Sequence, residues 1–202
     1  MKKGLGIRLI LIAVAAGALL AGAVLLSARL HPHAYAAKPL ATPLPAYDFA
    51  LTGSDLKPYH LSDLRGRLVL LFFGYTSCPD ECPTTTAILE QVIGRLGSQA
   101  GEVQVAMITV DPHKDTPQIL QAYFEKFGGR ILGLTGDLAV ITETARQYGV
   151  FFQKQTAADG STLIEHTLLL ELIDRQGYIR IVYPYNTPAE SIASDLEYLL
   201  SQ

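Results

Sequence analysis

An α/β domain, with one mixed sheet covered by helices on both faces, is what this sequence predicts, and three observations predict it. Two long apolar runs, Leu68–Phe73 and Val103–Val110, are each followed by a segment with helical apolar spacing. Two later runs are joined by Asp174-Arg-Gln-Gly177, a turn signal that makes them a hairpin. The chain then closes with an amphipathic segment that Thr187 and Pro188 start. Strand–helix units followed by a hairpin and a terminal helix bury both faces of the sheet.

Each element has its own reason. Tyr47–Thr52 and Tyr59–Leu61 flank Gly53-Ser-Asp55 and read as an N-terminal hairpin. Leu68–Gly74 is the first strongly apolar strand. Pro83 fits the first turn of the helix after it, which Ile88, Val92 and Leu96 continue. Val103–Val110 is a second strand, closed by Asp111-Pro112. Thr116 can cap the next helix and Pro117 fits its first position. Its stripe is Ile119, Leu120, Tyr123, Phe124 and Phe127, and Gly128-Gly129 ends it. Ile131–Leu134 is a short strand and Ala139–Tyr148 a helix. Val150–Gln155 and His166–Ile173 are strands around a loop holding Asp159-Gly160, and Tyr178–Tyr183 follows the turn. Ile192, Leu196 and Leu199 mark the buried face of the last helix. This is the thioredoxin-like order.

Ahead of that domain the chain changes character. Residues 1–8 are basic, through Lys2, Lys3 and Arg8, and the 18 residues from Leu9 to Leu26 carry no charge. At ~1.5 Å per residue such a helix reaches about 27 Å, close to the ~30 Å of a hydrocarbon core. One N-terminal transmembrane helix over 9–27 is therefore expected, a single pass in the cell membrane. The preceding charges keep the N-terminus in the cytoplasm, so the domain works on the extracytoplasmic side, periplasmic or outer. The competing reading is a cleaved signal peptide with Ala34-Tyr-Ala36 as its site. The apolar run exceeds the usual ~7–15 residues, and the site lies well past its end. Residues 28–46, with Pro32, Pro39, Pro43 and Pro45, suit an extended linker, and residues 47–202 have the size of one domain. A net charge of −3, with no basic cluster after the N-terminus, argues against nucleic acid as a partner.

The chemistry concentrates in Gly74-Tyr-Thr-Ser-Cys-Pro-Asp-Glu-Cys-Pro-Thr84, which holds both cysteines of the chain. A structural disulfide stabilises mainly by closing a long loop, and this loop is very short. Cys78 and Cys82 thus read as a redox pair or as two ligands to a soft metal. A helix starting near Cys82 favours a thiolate through its free N–H groups and dipole. Two thiolates select Cu(I) first, with zinc as a second option. An imidazole from elsewhere would complete the set. Of His31, His33, His60, His113 and His166, the last is best placed, because Leu163-Ile-Glu-His-Thr167 leads into an apolar strand. On residue type alone a lone histidine is more often structural or solvated. His113 sits in a loop expected beside the cysteines, where it could support a ligand.

Three segments resemble the Sco/SenC family of copper chaperones, which assist assembly of the binuclear copper centre of cytochrome c oxidase. They are Thr76-Ser-Cys-Pro-Asp-Glu-Cys-Pro-Thr84, Thr109-Val-Asp-Pro-His-Lys-Asp-Thr-Pro117 and Ile164-Glu-His-Thr167 followed by Asp174-Arg-Gln-Gly177. Lys114 stands where the family usually has Arg, and Glu165 where it has Asp. The resemblance implies a thioredoxin-like copper-binding domain with Cys78, Cys82 and His166 as copper ligands, for Cu(I) and also Cu(II). Asp80, Asp111 and Glu165 would surround them without binding the ion. It implies as partners an oxidase subunit carrying the copper centre, and an upstream copper donor or thiol reductant. It also leaves a second function open, a thiol–disulfide oxidoreductase that reduces the cysteines of the acceptor site, which would make the protein an enzyme and would use Cys78 and Cys82 without His166. Two further readings are a peroxiredoxin-like peroxidase, whose resolving cysteine normally lies further off, and a structural disulfide.

Overall fold

A computed structural model describes residues 14–20, 22, 33–156 and 162–202. The chain divides into two compact units, residues 1–34 and Tyr35–Gln202. In the first, residues 14–20 and 22 are helical. Most of the expected span over 9–27 lies outside the described residues, and no helix among the described ones is long and apolar enough to cross a membrane.

The second unit is built on an eight-stranded mixed sheet. Its strands are β1 (Leu44–Pro45), β2 (Ala50–Gly53), β3 (Pro58–His60), β4 (Leu68–Gly74), β5 (Val103–Thr109), β6 (Ile131–Thr135), β9 (Leu169–Ile173) and β10 (Tyr178–Pro184). They lie in the order β1-β10-β9-β4-β5-β6-β2-β3. Strands β4, β5 and β6 run parallel, and the remaining pairs are antiparallel. A separate two-stranded ribbon pairs β7 (Phe152–Thr156) with β8 (Thr162–His166). The helices are α1 (Glu81–Leu96), α2 (Pro117–Glu125), α3 (Leu138–Gln147) and α4 (Ala189–Leu200).

All seven residues of β4 are buried, which is why its sequence is one apolar run without alternation. Val69, Leu71 and Phe73 face one core with Ile141, Ala145 and Tyr148 of α3 and its end. Leu68, Leu70 and Phe72 face the other, with Leu89 and Val92 of α1, Leu120 of α2 and Ile192 of α4. Each such buried aliphatic side chain contributes about 1.5–3 kcal/mol, so β4 is the fixed point from which the cysteine loop leaves. Helix α2 begins as its sequence requires: Thr116 accepts from the Ile119 N–H, and Pro117 occupies the first position.

Three expectations differ from the structure. The stretch His166–Ile173 is two strands, because Thr167 pairs back with Phe151. Its N–H donates to the Phe151 carbonyl at 2.9 Å, and its Oγ1 accepts from the Phe151 N–H at 3.1 Å. His166 therefore ends a ribbon instead of opening a central strand. The linker is shorter than 28–46, since the compact unit begins at Tyr35. Leu40 N–H donates to Arg180, Leu44–Pro45 pairs with β10, and Tyr35 stacks edge-on against Tyr198 with ring centres 5.8 Å apart. Edge-strand carbonyls on β10 give those residues partners that a free tether lacks. Finally, Ile119 is exposed although it belongs to the apolar stripe, and Leu120 and Phe124 carry the buried face.

Candidate metal centre

Strand β4 ends at Gly74, where a Cβ atom would lie 2.9 Å from Cys82 Sγ and 3.1 Å from Met107 Sδ. Only glycine leaves space for the sulfur this close to the backbone. The loop that follows is pinned from below by Asp115, which is fully buried. Its carboxylate accepts from the Thr76 N–H at 3.0 Å, from Thr76 Oγ1 and from Thr109 Oγ1 at 2.6 Å. Charge-assisted bonds of this kind tie the loop after β4 to the loop after β5. Cys78 then sits ahead of α1, and Cys82 is the second residue of that helix. The Cys82 N–H points at Cys78 Sγ, 3.4 Å away.

His166 arrives from the ribbon. Its Nε2 lies 3.8 Å from Cys82 Sγ, and its Nδ1 lies 3.2 Å from the Thr167 carbonyl. A carbonyl only accepts, so Nδ1 carries the proton and Nε2 presents its lone pair to the sulfurs. Tyr75 holds the ribbon in place. Its hydroxyl accepts from the Ile164 N–H at 3.2 Å, and its ring meets the imidazole edge-on at 6.0 Å.

The Cys78 Sγ, Cys82 Sγ and His166 Nε2 atoms all lie within 4.8 Å of one another, and this is the one such cluster among the described residues. Bonds of about 2.0–2.3 Å place two donors of one ion roughly 3.3–4.5 Å apart, so a contraction of a few tenths of an ångström would close the set on a metal. Both cysteines are free thiols and both are buried. A hydrogen bond from the Cys82 thiol is the largest influence on Cys78. Against the opposing effect of burial, it and the N–H groups of Cys82 and Asp80 hold the Cys78 thiol far below its ordinary range, at about 3. The bond to Cys78, and then burial, push Cys82 up. The shared contact favours negative charge on Cys78 over Cys82. Cys82 and His166 also line an apolar groove, together with Ile88, Leu168, Tyr185 and Ile192.

The surrounding acids divide. Asp80 is the N-cap residue of α1, and it is exposed. Asp111 is buried in the loop after β5, where its N–H donates to Thr109 Oγ1. Glu165 accepts from Gln155 Nε2 at 2.6 Å across the ribbon, so its carboxylate is engaged away from the sulfurs. His60 and His113 lie outside the cluster, and His31 lies outside the described residues. Sequence reasoning missed Tyr75 and Asp115. Asp115 had a signal in its position between His113-Lys114 and the Thr116-Pro117 cap, inside one of the three segments. Tyr75 had only its adjacency to the cysteine loop.

A thioredoxin-like domain that carries two thiols and an imidazole at the head of its first central helix belongs to the soft-metal and thiol-redox proteins. The chain is a member of the SCO1/SenC family, whose profile matches residues 38–201. It is similar to the mitochondrial SCO2 homolog of Bos taurus, 34% identical over 152 residues. That match covers 74% of this chain and 57% of the bovine protein's length. Among solved structures it resembles copper-bound ScoI of Bradyrhizobium japonicum, with 34% identity and a TM-score of 0.72, over 77% of this chain and 99% of that one. The solution structure of apo Sco1 from Thermus thermophilus is similar at 34% identity and a TM-score of 0.73, over 83% and 98%.

Proposed function

We propose that the protein is a membrane-anchored copper chaperone. In this reading residues 9–27 hold it in the membrane with the domain on the extracytoplasmic side. Cys78, Cys82 and His166 bind copper, and the copper is delivered to the binuclear copper centre of cytochrome c oxidase during assembly. The observation that carries it is the donor set: two sulfurs and an imidazole nitrogen within 4.8 Å, with the imidazole lone pair turned toward the sulfurs. Two thiolates and one imidazole fit Cu(I) in a three-coordinate site. Support also comes from the copper-bound ScoI structure at 34% identity.

Delivery follows from the same geometry. A three-coordinate ion leaves room for an incoming thiolate or imidazole of an acceptor, so copper leaves by ligand exchange without a free-ion step. Its donor upstream is another soft-ligand copper protein. The second reading, a thiol–disulfide reductase, draws on the lowered Cys78 thiol, since a thiolate is what attacks a disulfide. Cys82 would then release the mixed disulfide, and the cysteines of the acceptor site would be its substrate.

His166 separates the two readings. The imidazole has no part in thiol–disulfide exchange, so His166→Ala leaves disulfide reduction intact and lowers assembly of the oxidase copper centre as Cys82→Ser does. Added copper partly restores the His166 variant by mass action. Normal oxidase assembly in His166→Ala cells without added copper would turn the conclusion to the reductase. Protease protection of intact cells and of membranes tests the anchor: the domain is digested from the outside and stays membrane-bound until then.

A further inference from the structure

We propose that Glu81 is a fourth, oxidation-state-dependent ligand of the copper site, joining Cys78, Cys82 and His166 when the ion is Cu(II) and standing aside when it is Cu(I). This rests on the copper reading of that site.

Glu81 is the first residue of α1, directly before Cys82. Its Oε2 lies 3.5 Å from Cys78 Sγ, a separation typical of two donors on one ion. That contact joins the Cys78 sulfur to the carboxylate, and a cation in the proton's place would bond to both atoms. The side chain is half-buried, and it borders the recesses on both sides of His166. Glu81 is not within 4.8 Å of all three other donors, so it is no part of the resting triad. A change of its own side-chain rotamer would bring the carboxylate in without moving α1.

The chemistry sets the direction of the preference. Cu(I) is soft and is satisfied by two thiolates and an imidazole. Cu(II) favours tetragonal sites with nitrogen and oxygen donors, and a carboxylate oxygen supplies the missing fourth corner. The neighbouring acid Glu165 has its carboxylate committed to Gln155 and is the natural control for charge alone. Glu81 thereby makes the site bind both oxidation states.

The test uses the full-length chain purified as wild type, Glu81→Gln, Glu165→Gln and Cys78→Ser. Cu(II) and Cu(I) affinities are measured by ligand competition, the latter anaerobically, and the Cu(II) forms are examined by electron paramagnetic resonance. Glu81→Gln should lower Cu(II) affinity about 10–100-fold, as loss of a supporting carboxylate does at metal sites. It should also shift the copper hyperfine splitting and leave Cu(I) affinity unchanged within about threefold. Glu165→Gln should change neither. An unaltered spectrum and Cu(II) affinity in Glu81→Gln, with copper still lost in Cys78→Ser, would overturn the Glu81 assignment and leave the copper site standing. Equal losses for Cu(I) and Cu(II), or equal effects of Glu81→Gln and Glu165→Gln, would overturn it as well. Wild-type copper affinity in Cys78→Ser would remove the copper site and Glu81 with it.

Discussion

The sulfur arm and the imidazole arm of the site are built differently. Cys78 and Cys82 stand where β4 hands over to α1, against a strand whose seven residues are all buried. Asp115 ties their loop to the next one with bonds from Thr76 and Thr109. His166 comes from a two-stranded ribbon outside the main sheet, held to the cysteine loop by Tyr75. A two-stranded ribbon is marginal by itself, whereas a central strand is fixed by both cores. On the proposed delivery role, the difference is what would let such a site hold an ion and still release it. The two sulfurs stand on the fixed core, and the imidazole depends on a few contacts that, in that role, an acceptor surface would exchange for its own.

The largest test of that contrast is loss of a sulfur. A structural zinc site with four ligands binds with about 10–16 kcal/mol, roughly 3 kcal/mol per ligand, or about a hundredfold in affinity. Cys82→Ser should cost at least that much in Cu(I) affinity. His166→Ala should cost about tenfold, because two thiolates alone still satisfy Cu(I). Competition titration under anaerobic conditions reads both, and equal losses would break the distinction between the arms.

A smaller effect should come from the strut. Tyr75→Phe removes the acceptor of the buried Ile164 N–H, a loss of about 1–3 kcal/mol in ribbon stability. Copper affinity should fall a few-fold in the wild-type background, and not at all when His166 is already alanine. A fall of the same size in both backgrounds would show Tyr75 acting on the sulfurs instead.

The smallest effect on copper, none, is expected at Glu171. This acid lies in β9 opposite Leu71 of β4, buried, with Oε2 unpartnered. Burial alone pushes it up from 4.5 to about 8. The folded state therefore holds more protons than the unfolded one. The stability tied to the protonated acid is complete below about pH 4.5 and is lost as pH rises through about 8. Glu171→Gln should raise stability by roughly 1–3 kcal/mol at neutral pH and flatten its pH dependence, with copper affinity unchanged. Urea unfolding between pH 5 and pH 9, at about unit steps, reads it. A copper affinity that moved with Glu171 would mean that the core and the sulfur arm titrate together.

The sequence by itself determined the strands and helices whose burial is uniform or strictly periodic. Leu68–Gly74 appears with those bounds, and α2 starts at Pro117 after its Thr116 cap. It also marked Cys78 and Cys82, because two cysteines at a strand–helix junction are a local pattern. Tertiary structure alone decided the rest. Whether His166 opens a strand or ends one depends on Thr167 finding Phe151, 16 residues away. Whether residues 35–46 hang free depends on the open edge of β10, more than 130 residues later. Asp115 and Tyr75 act through Thr76, Thr109 and Ile164, partners that local propensity does not reveal. Local patterns follow from backbone sterics and apolar periodicity within a few residues. Loop closures and buried polar contacts join groups far apart in the chain, and only the folded packing brings those groups within bonding distance.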